Sequence, residues 1–163
     1  MISPNLQKAI DALQIQDVYL RGLVAHCVEE FDPKYCADYD SIAIQTKHLV
    51  KRAAVLELEN EGLFLRVSID LGARWIDTRD SDGDKAVRAL IEAEFIAEYK
   101  MTETLEQSCI DEFALKNCSY HVWPYWRELL MTQSQRMHLP RTVLPTMQLA
   151  HNRHNGAEEQ SKG

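Results

Sequence analysis

The chain of 163 residues is one domain's worth, and its 45% hydrophobic and 26% charged residues allow an ordinary buried core. A formal charge of −7 and a pI near 5.3, with no run of Lys and Arg, exclude the concentrated positive potential that phosphate binding needs, so nucleic acid is not an expected partner. No apolar run approaches a membrane span and no basic-then-apolar leader opens the sequence, so a cytoplasmic protein with no membrane insertion is expected.

In chain order, Ser3-Pro4 reads as a cap followed by proline at the first helical position, and Leu6, Ile10 and Leu13 recur at helical spacing, which predicts a short N-terminal helix. Residues 15–28 turn to Val, Tyr, Leu and Cys with few charges and read as a first strand, partly covered on both faces. Residues 29–47 have no clear period and are long for a hairpin, so they read as a crossover. In a second strand Val50, Ala54, Leu56 and Leu58 share a parity. After the turn Glu59-Asn60-Glu61-Gly62, Leu63, Leu65, Val67, Ile69 and Leu71 alternate with Phe64, Arg66, Ser68 and Asp70 in a third.

A fourth strand sets Val87, Ala89, Ile91, Ala93, Phe95, Ala97 and Tyr99 on one face, while Arg88, Leu90, Glu92, Glu94, Ile96 and Glu98 give an acidic other face. Residues 102–116 read as a short helix with Leu105, Cys109 and Phe113 inward. A long helix then carries Val122, Trp126, Leu129, Leu130 and Met137 as an apolar stripe, with Ser119 as its cap. Pro124 restricts its start to within a residue or two. Pro140 and Pro145 forbid continuation, and Leu139, Val143, Leu144, Met147 and Leu149 fall on an irregular segment that must be buried or offered to something else. Residues 1–150 form one domain in this reading, and 151–163 a disordered polar tail.

Chemistry is sparse. Asp80, Asp82 and Gly83 resemble part of a calcium loop, but with Gly83 sixth the first position is Thr78 and the twelfth Ala89, so the required carboxylates are missing. His138, His151 and His154 lack metal-ligand spacing, and Arg127-Glu128 reads as a surface or interface ion pair. There is no glycine-rich phosphate loop and no nucleophile elbow, so no catalytic residue, metal or cofactor is expected. Cys27, Cys36, Cys109 and Cys118 form no CxxC pair and read as reduced thiols.

The run Cys118-Ser-Tyr-His-Val-Trp123-Pro124-Tyr125-Trp126-Arg127-Glu128, followed by Leu139-Pro140 and Leu144-Pro145, resembles the signature of the SecB export chaperones. The order of four strands, a long crossover after the first and the Cys109 segment follows that family as well. The resemblance implies an α+β fold, a four-stranded antiparallel sheet with a long C-terminal helix on one face, assembling as a dimer or a dimer of dimers. It implies ATP-independent holding of unfolded polypeptides, preproteins or a specific client, in an apolar groove. Phe31, Tyr35 and Tyr39 with Leu139, Val143, Leu144, Met147 and Leu149 are the groove candidates, though both segments could instead pack on each other as core.

Tyr120, Trp123 and Trp126 spread so widely around the long helix that some are expected to meet another subunit. In the export chaperones a translocase motor ATPase docks on an acidic sheet face. Leu90 and Glu92 keep that pattern, while the two first-strand acids fall on Gly22 and His26. The added N-terminal helix and short tail look more like the divergent SecB-like chaperones that protect an antitoxin of a toxin-antitoxin pair. An interaction or scaffold protein of the same fold is the alternative outside that class.

Overall fold

Helices lie on one face of a four-stranded antiparallel sheet, an α+β arrangement, in a computed structural model that describes residues 1–140 and 144. Val143, Met147, Leu149 and the tail 151–163 lie outside the described residues. In order the elements are α1 (Pro4–Ala12), β1 (Leu13–Cys27), a 3-10 turn (Pro33–Tyr35), β2 (Ile42–Leu58), β3 (Gly62–Asp77), β4 (Val87–Met101), α2 (Gln107–Lys116) and α3 (Cys118–Arg136). The sheet order is β1-β4-β3-β2, so β1 and β2 are the two edges and the 28–41 connection crosses from one to the other.

Local chemistry sets most of these boundaries. Ser3 Oγ accepts the Leu6 N–H at 3.1 Å and Pro4 occupies the first turn of α1, whose Leu6, Ala9 and Ala12 are buried. Leu13 ends that helix in an extended conformation and begins β1 at once, while Thr102 holds the junction by donating to the Ala12 carbonyl. Between β2 and β3, Asn60 (φ 66°) and Gly62 (φ 94°) adopt left-handed backbone, which Asn tolerates and Gly takes without steric cost.

The strands differ from their sequence reading in three ways, and β-bulges explain two of them. In β1 the register slips at Gln16 and at Arg21, so Leu13 and Ile15, then Val18 and Leu20, then Leu23, Ala25 and Cys27 all face the helices; two extra residues hide the alternation. In β2 the slip falls at Lys51. Val50 therefore faces inward with Ala53 and Val55, whereas Ala54, Leu56 and Leu58 face outward, so the shared parity expected of them does not hold. Finally, β2 begins at Ile42, inside the expected crossover. Its inward row there is Ile44, Thr46 and His48, too polar to announce a strand.

The core is built on the two central strands. Leu65, Val67, Ile69, Leu71, Ala73 and Trp75 of β3 and Ala89, Ile91, Ala93, Phe95, Ala97 and Tyr99 of β4 are buried under Cys109, Ile110, Phe113 and Ala114 of α2 and under Cys118, Val122, Trp126 and Leu130 of α3. Each fully buried aliphatic or aromatic side chain there contributes about 1.5–3 kcal/mol. Tyr99 packs edge-on against Phe113, with ring centroids 4.9 Å apart. Its hydroxyl lies 3.1 Å from Cys118 Sγ and 2.7 Å from His121 Nδ1. Burial drives the Tyr99 hydroxyl well above its ordinary pKa and pushes the Cys118 thiol up to about 12, so both stay protonated and neutral.

Two expectations about α3 are corrected. The helix starts at Cys118, six residues before Pro124, so the proline lies inside it; anchoring of the flanking Val122 and Trp126 in the core offsets the missing N–H. Ser119 is not the cap but an interior residue, 2.6 Å from His48 Nε2 on β2. Asn117 occupies the cap position without a side-chain cap bond.

At the far end of β3, Arg79 donates to the Asp77 carboxylate at 2.9 and 3.0 Å, and Arg88 lies 3.6 Å away. The side-chain bonds from Arg79, then its backbone N–H, hold the Asp77 carboxyl well below the usual carboxylate range, with the charges of Arg79 and Arg88 adding to this. A depressed folded-state value means that the stabilisation is complete well above the unfolded value near 3.8, starts to fall around it, and is lost only as pH drops through the lower folded-state value. Asp77→Asn is therefore expected to flatten the fall in melting temperature between about pH 5 and pH 2. Trp126→Ala is expected to cost about 3–5 kcal/mol in urea denaturation, as for a large core aromatic; unchanged stability with a lower assembly mass would put Trp126 at an interface instead.

Candidate functional site

The helical layer covers the sheet unevenly. The inward rows of β3 and β4 are at most 5% exposed from Leu65 to Trp75 and from Ala89 to Tyr99, but those of the edge strands are not. Ile15, Leu20 and Leu23 of β1 remain 47, 41 and 40% exposed, and Ile44 and Val55 of β2 remain 38 and 43% exposed. Both edges of the inward face therefore carry an uncovered apolar strip. The sequence hid these strips, because the bulges at Gln16, Arg21 and Lys51 break the alternation that would have revealed them.

One end of the sheet adds aromatic side chains. The 28–41 connection is tied down there: Thr78 donates its N–H and its hydroxyl to the Ser41 carbonyl, both at 2.8 Å, and Arg79 pairs with Asp38 at 3.3 Å. Asp32 accepts the Lys34 N–H and starts the 3-10 turn. The Tyr39 hydroxyl donates to the Pro33 carbonyl, and the His138 carbonyl just past α3 lies 3.4 Å away, so this loop meets the end of the long helix. Burial raises the Tyr39 pKa, which keeps the donor protonated.

Among the groove candidates, Tyr35 is 76% exposed, Tyr39 is half-buried, and Phe31 is half-buried against the core. Leu139 and Leu144, in contrast, belong to the core cluster and are 6 and 7% exposed. The reason is the helix end. His138 takes left-handed backbone (φ 56°), its N–H bonds to the Gln135 carbonyl, and the Leu139 N–H bonds to the Ser134 carbonyl, a Schellman closure that turns the chain back. These two leucines thus pack inward instead of lining an open groove, while Val143, Met147 and Leu149 lie outside the described residues.

The aromatic residues of α3 also divide. Trp126 is 1% exposed and sits in the chain's own core, so it offers no surface to another subunit. Trp123 is half-buried with its ring 6.1 Å from that of His48, and Tyr120 is half-buried. Their angular spread is absorbed by a helix that lies across the sheet between β2 and β4, so the spread alone does not require a second copy.

The outward face differs from its acidic expectation. Leu90 and Glu92 do lie there, beside His26 and Val24 of β1. Yet Glu92 pairs with Arg74 at 3.1 Å, Glu98 lies 3.6 Å from Arg66, and Glu94 takes both Arg21 at 3.0 Å and Lys51 at 3.7 Å. Ser68 donates to Glu94 at 2.7 Å, and that bond, followed by those basic neighbours, lowers the Glu94 pKa. A strand read alone as acidic is neutralised by the strands beside it.

Among the described residues no group of three His, Cys, Asp or Glu could hold a metal ion, and no helix is long and apolar enough to cross a membrane. No protein-family model and no curated protein matches the sequence. Among solved structures the chain is similar to the Mycobacterium tuberculosis Rv1957 SecB-like chaperone in complex with a ChAD peptide from the Rv1956 HigA1 antitoxin, at 16% identity over 90% of this chain and 98% of that one, with a TM-score of 0.69. The likeness is one of architecture, and the chain has the fold of a SecB-like chaperone.

Proposed function

We propose that this protein is an ATP-independent chaperone that holds non-native polypeptide on the apolar strips of its inward sheet face. The single observation that carries the reading is that uncovered strip on β1 and β2, held on a fold shared with a chaperone. Extended apolar segments suit such a surface: an edge strand offers unpaired backbone groups, and the exposed aliphatic row takes alternate side chains of a bound strand. Tyr35 and the half-buried Phe31 and Tyr39 extend it at one end with aromatic surface that tolerates many sequences. Several weak contacts along one client chain then add through multivalency.

Two clients suit this surface, a preprotein and an antitoxin. The antitoxin is favoured, because the fold is that of a protein bound to an antitoxin peptide. The paired charges of Glu92 and Glu94 and the presence of Gly22 and His26 give an export motor little negative potential to bind, so that partner is not favoured.

Added at near-stoichiometric ratio without nucleotide, the protein is expected to suppress light scattering by an unfolding model substrate. Tyr35→Ser with Ile44→Ser is expected to weaken that holding while the protein stays folded, at a cost of about 1 kcal/mol, since Tyr35 is 76% and Ile44 38% exposed. Unchanged scattering with the native protein would leave a scaffold of the same fold as the better description.

The β1 strip also fits a second copy, because Leu20, Leu23 and Ile15 form one apolar row that a two-fold pairing would hide, leaving the β2 strip and Tyr35 to the client. Light scattering in solution is expected to give a dimer or a tetramer, and Leu20→Asp with Leu23→Asp a smaller mass. A wild-type monomer at micromolar concentration would refute this assembly.

A further inference from the structure

The outward face of the sheet carries a trough of about 500 Å³, opposite the helices and distinct from the apolar strips. Its floor is the buried Ile96 (3% exposed) and Ser68 (8%), with Ala54 and Leu56 along one wall. Arg21, Lys51, Arg52 and Arg66 surround that floor, and Glu94 is the one carboxylate lining it. A chain of formal charge −7 thus lines this trough with four cations and one anion, Arg66 being paired with Glu98 beside it.

The bulges produce this arrangement. Arg21 is the extra residue of β1 and Lys51 the extra residue of β2, and the two meet over Glu94 from opposite edges of the sheet. A bulge re-aims a side chain and increases local twist, and here it does so with a basic residue on both edges. Arg21 and Lys51 remain 59 and 51% exposed at the side chain, so each still presents charge to solvent, and among the described residues Arg52 has no ion-pair partner.

We infer that this trough docks a short acidic peptide segment in which an apolar residue separates acidic ones. Charge complementarity selects the acids: one carboxylate would meet Arg21 at the β1 rim and another Lys51 and Arg52 at the β2 rim. The apolar floor selects the residue between them, which would lie over Ile96 beside Ala54 and Leu56. The spacing of the cations matches that of alternate side chains on a peptide. Arg21 and Lys51 reach the same Glu94 oxygen, at 3.0 and 3.7 Å, so their cationic groups lie within about 7 Å of each other, close to the ~6.6 Å between side chains two residues apart on an extended chain. A polyanion such as RNA would bring its remaining charge against a net acidic protein. The site stands independently of the holding surface on the other face.

Fluorescence anisotropy with a dye-labelled hexapeptide alternating Asp and Leu tests this on the full chain. Saturable binding that weakens as salt rises from about 50 to 300 mM is expected, as for exposed charges, together with no binding of the matching Lys and Leu peptide. Arg21→Gln with Lys51→Gln and Arg52→Gln is expected to lower affinity about tenfold. Glu94→Gln, which removes the competing carboxylate, is expected to raise it, an opposite sign that loss of fold would not produce. Equal binding of the basic peptide, an indifferent triple variant, or weaker binding by a folded Glu94→Gln protein would overturn the proposal. So would full competition by millimolar inorganic phosphate, tighter binding of a short RNA, or a fall in assembly mass in the triple variant, which would assign the trough to a small anion, a nucleic acid or a second copy.

Discussion

Burial of the inward rows of β3 and β4 under a single layer of helices is the constraint on which the rest depends. Those two strands present aliphatic and aromatic side chains at every second position, and the stripe Cys118, Val122, Trp126 and Leu130 of α3 lies on them with α2 alongside. One layer of short helices is narrower than a four-stranded sheet. The central strands are therefore saturated, the edges are not, and the apolar strips of β1 and β2 follow from that mismatch in width.

The edge strands carry a second constraint, imposed by their bulges. A 15-residue strand with two extra residues keeps its apolar set facing inward only because each slip resets the parity. The same slips serve the outward face, where the displaced residues are Arg21 and Lys51 and both reach Glu94. Bulges also break the regularity of an exposed edge, which limits uncontrolled strand pairing in a molecule whose edges are long.

The two faces thus have separate chemistry. The inward edges are apolar, whereas the outward trough is lined by four basic side chains around an apolar floor. Between them the sheet is packed on one side and laced on the other by ion pairs of Arg74 with Glu92 and Arg66 with Glu98. At the end of the sheet, the ties of Asp38, Tyr39 and Ser41 to Arg79, the end of α3 and Thr78 hold the crossing loop in place.

Much of the fold was legible in the residues themselves. The Ser3-Pro4 cap, the Asn60 to Gly62 turn, the alternation of β3 and β4 and the stripe of α3 are local signals, each set by backbone sterics or by a period of two or 3.6 residues. The motif from Cys118 to Glu128 pointed to the same architecture. Tyr35, a groove candidate from the sequence, is exposed, while the apolar strips were not legible, because three inserted residues erase the period that marks a buried row. Whether Trp126, Leu139 and Leu144 face a partner or the core, and whether the β4 carboxylates make an acidic face, were likewise beyond local reading. Burial depends on what the helix and its closing turn are laid against, and charge on which cations the neighbouring strands bring, so both were decided only by the tertiary structure.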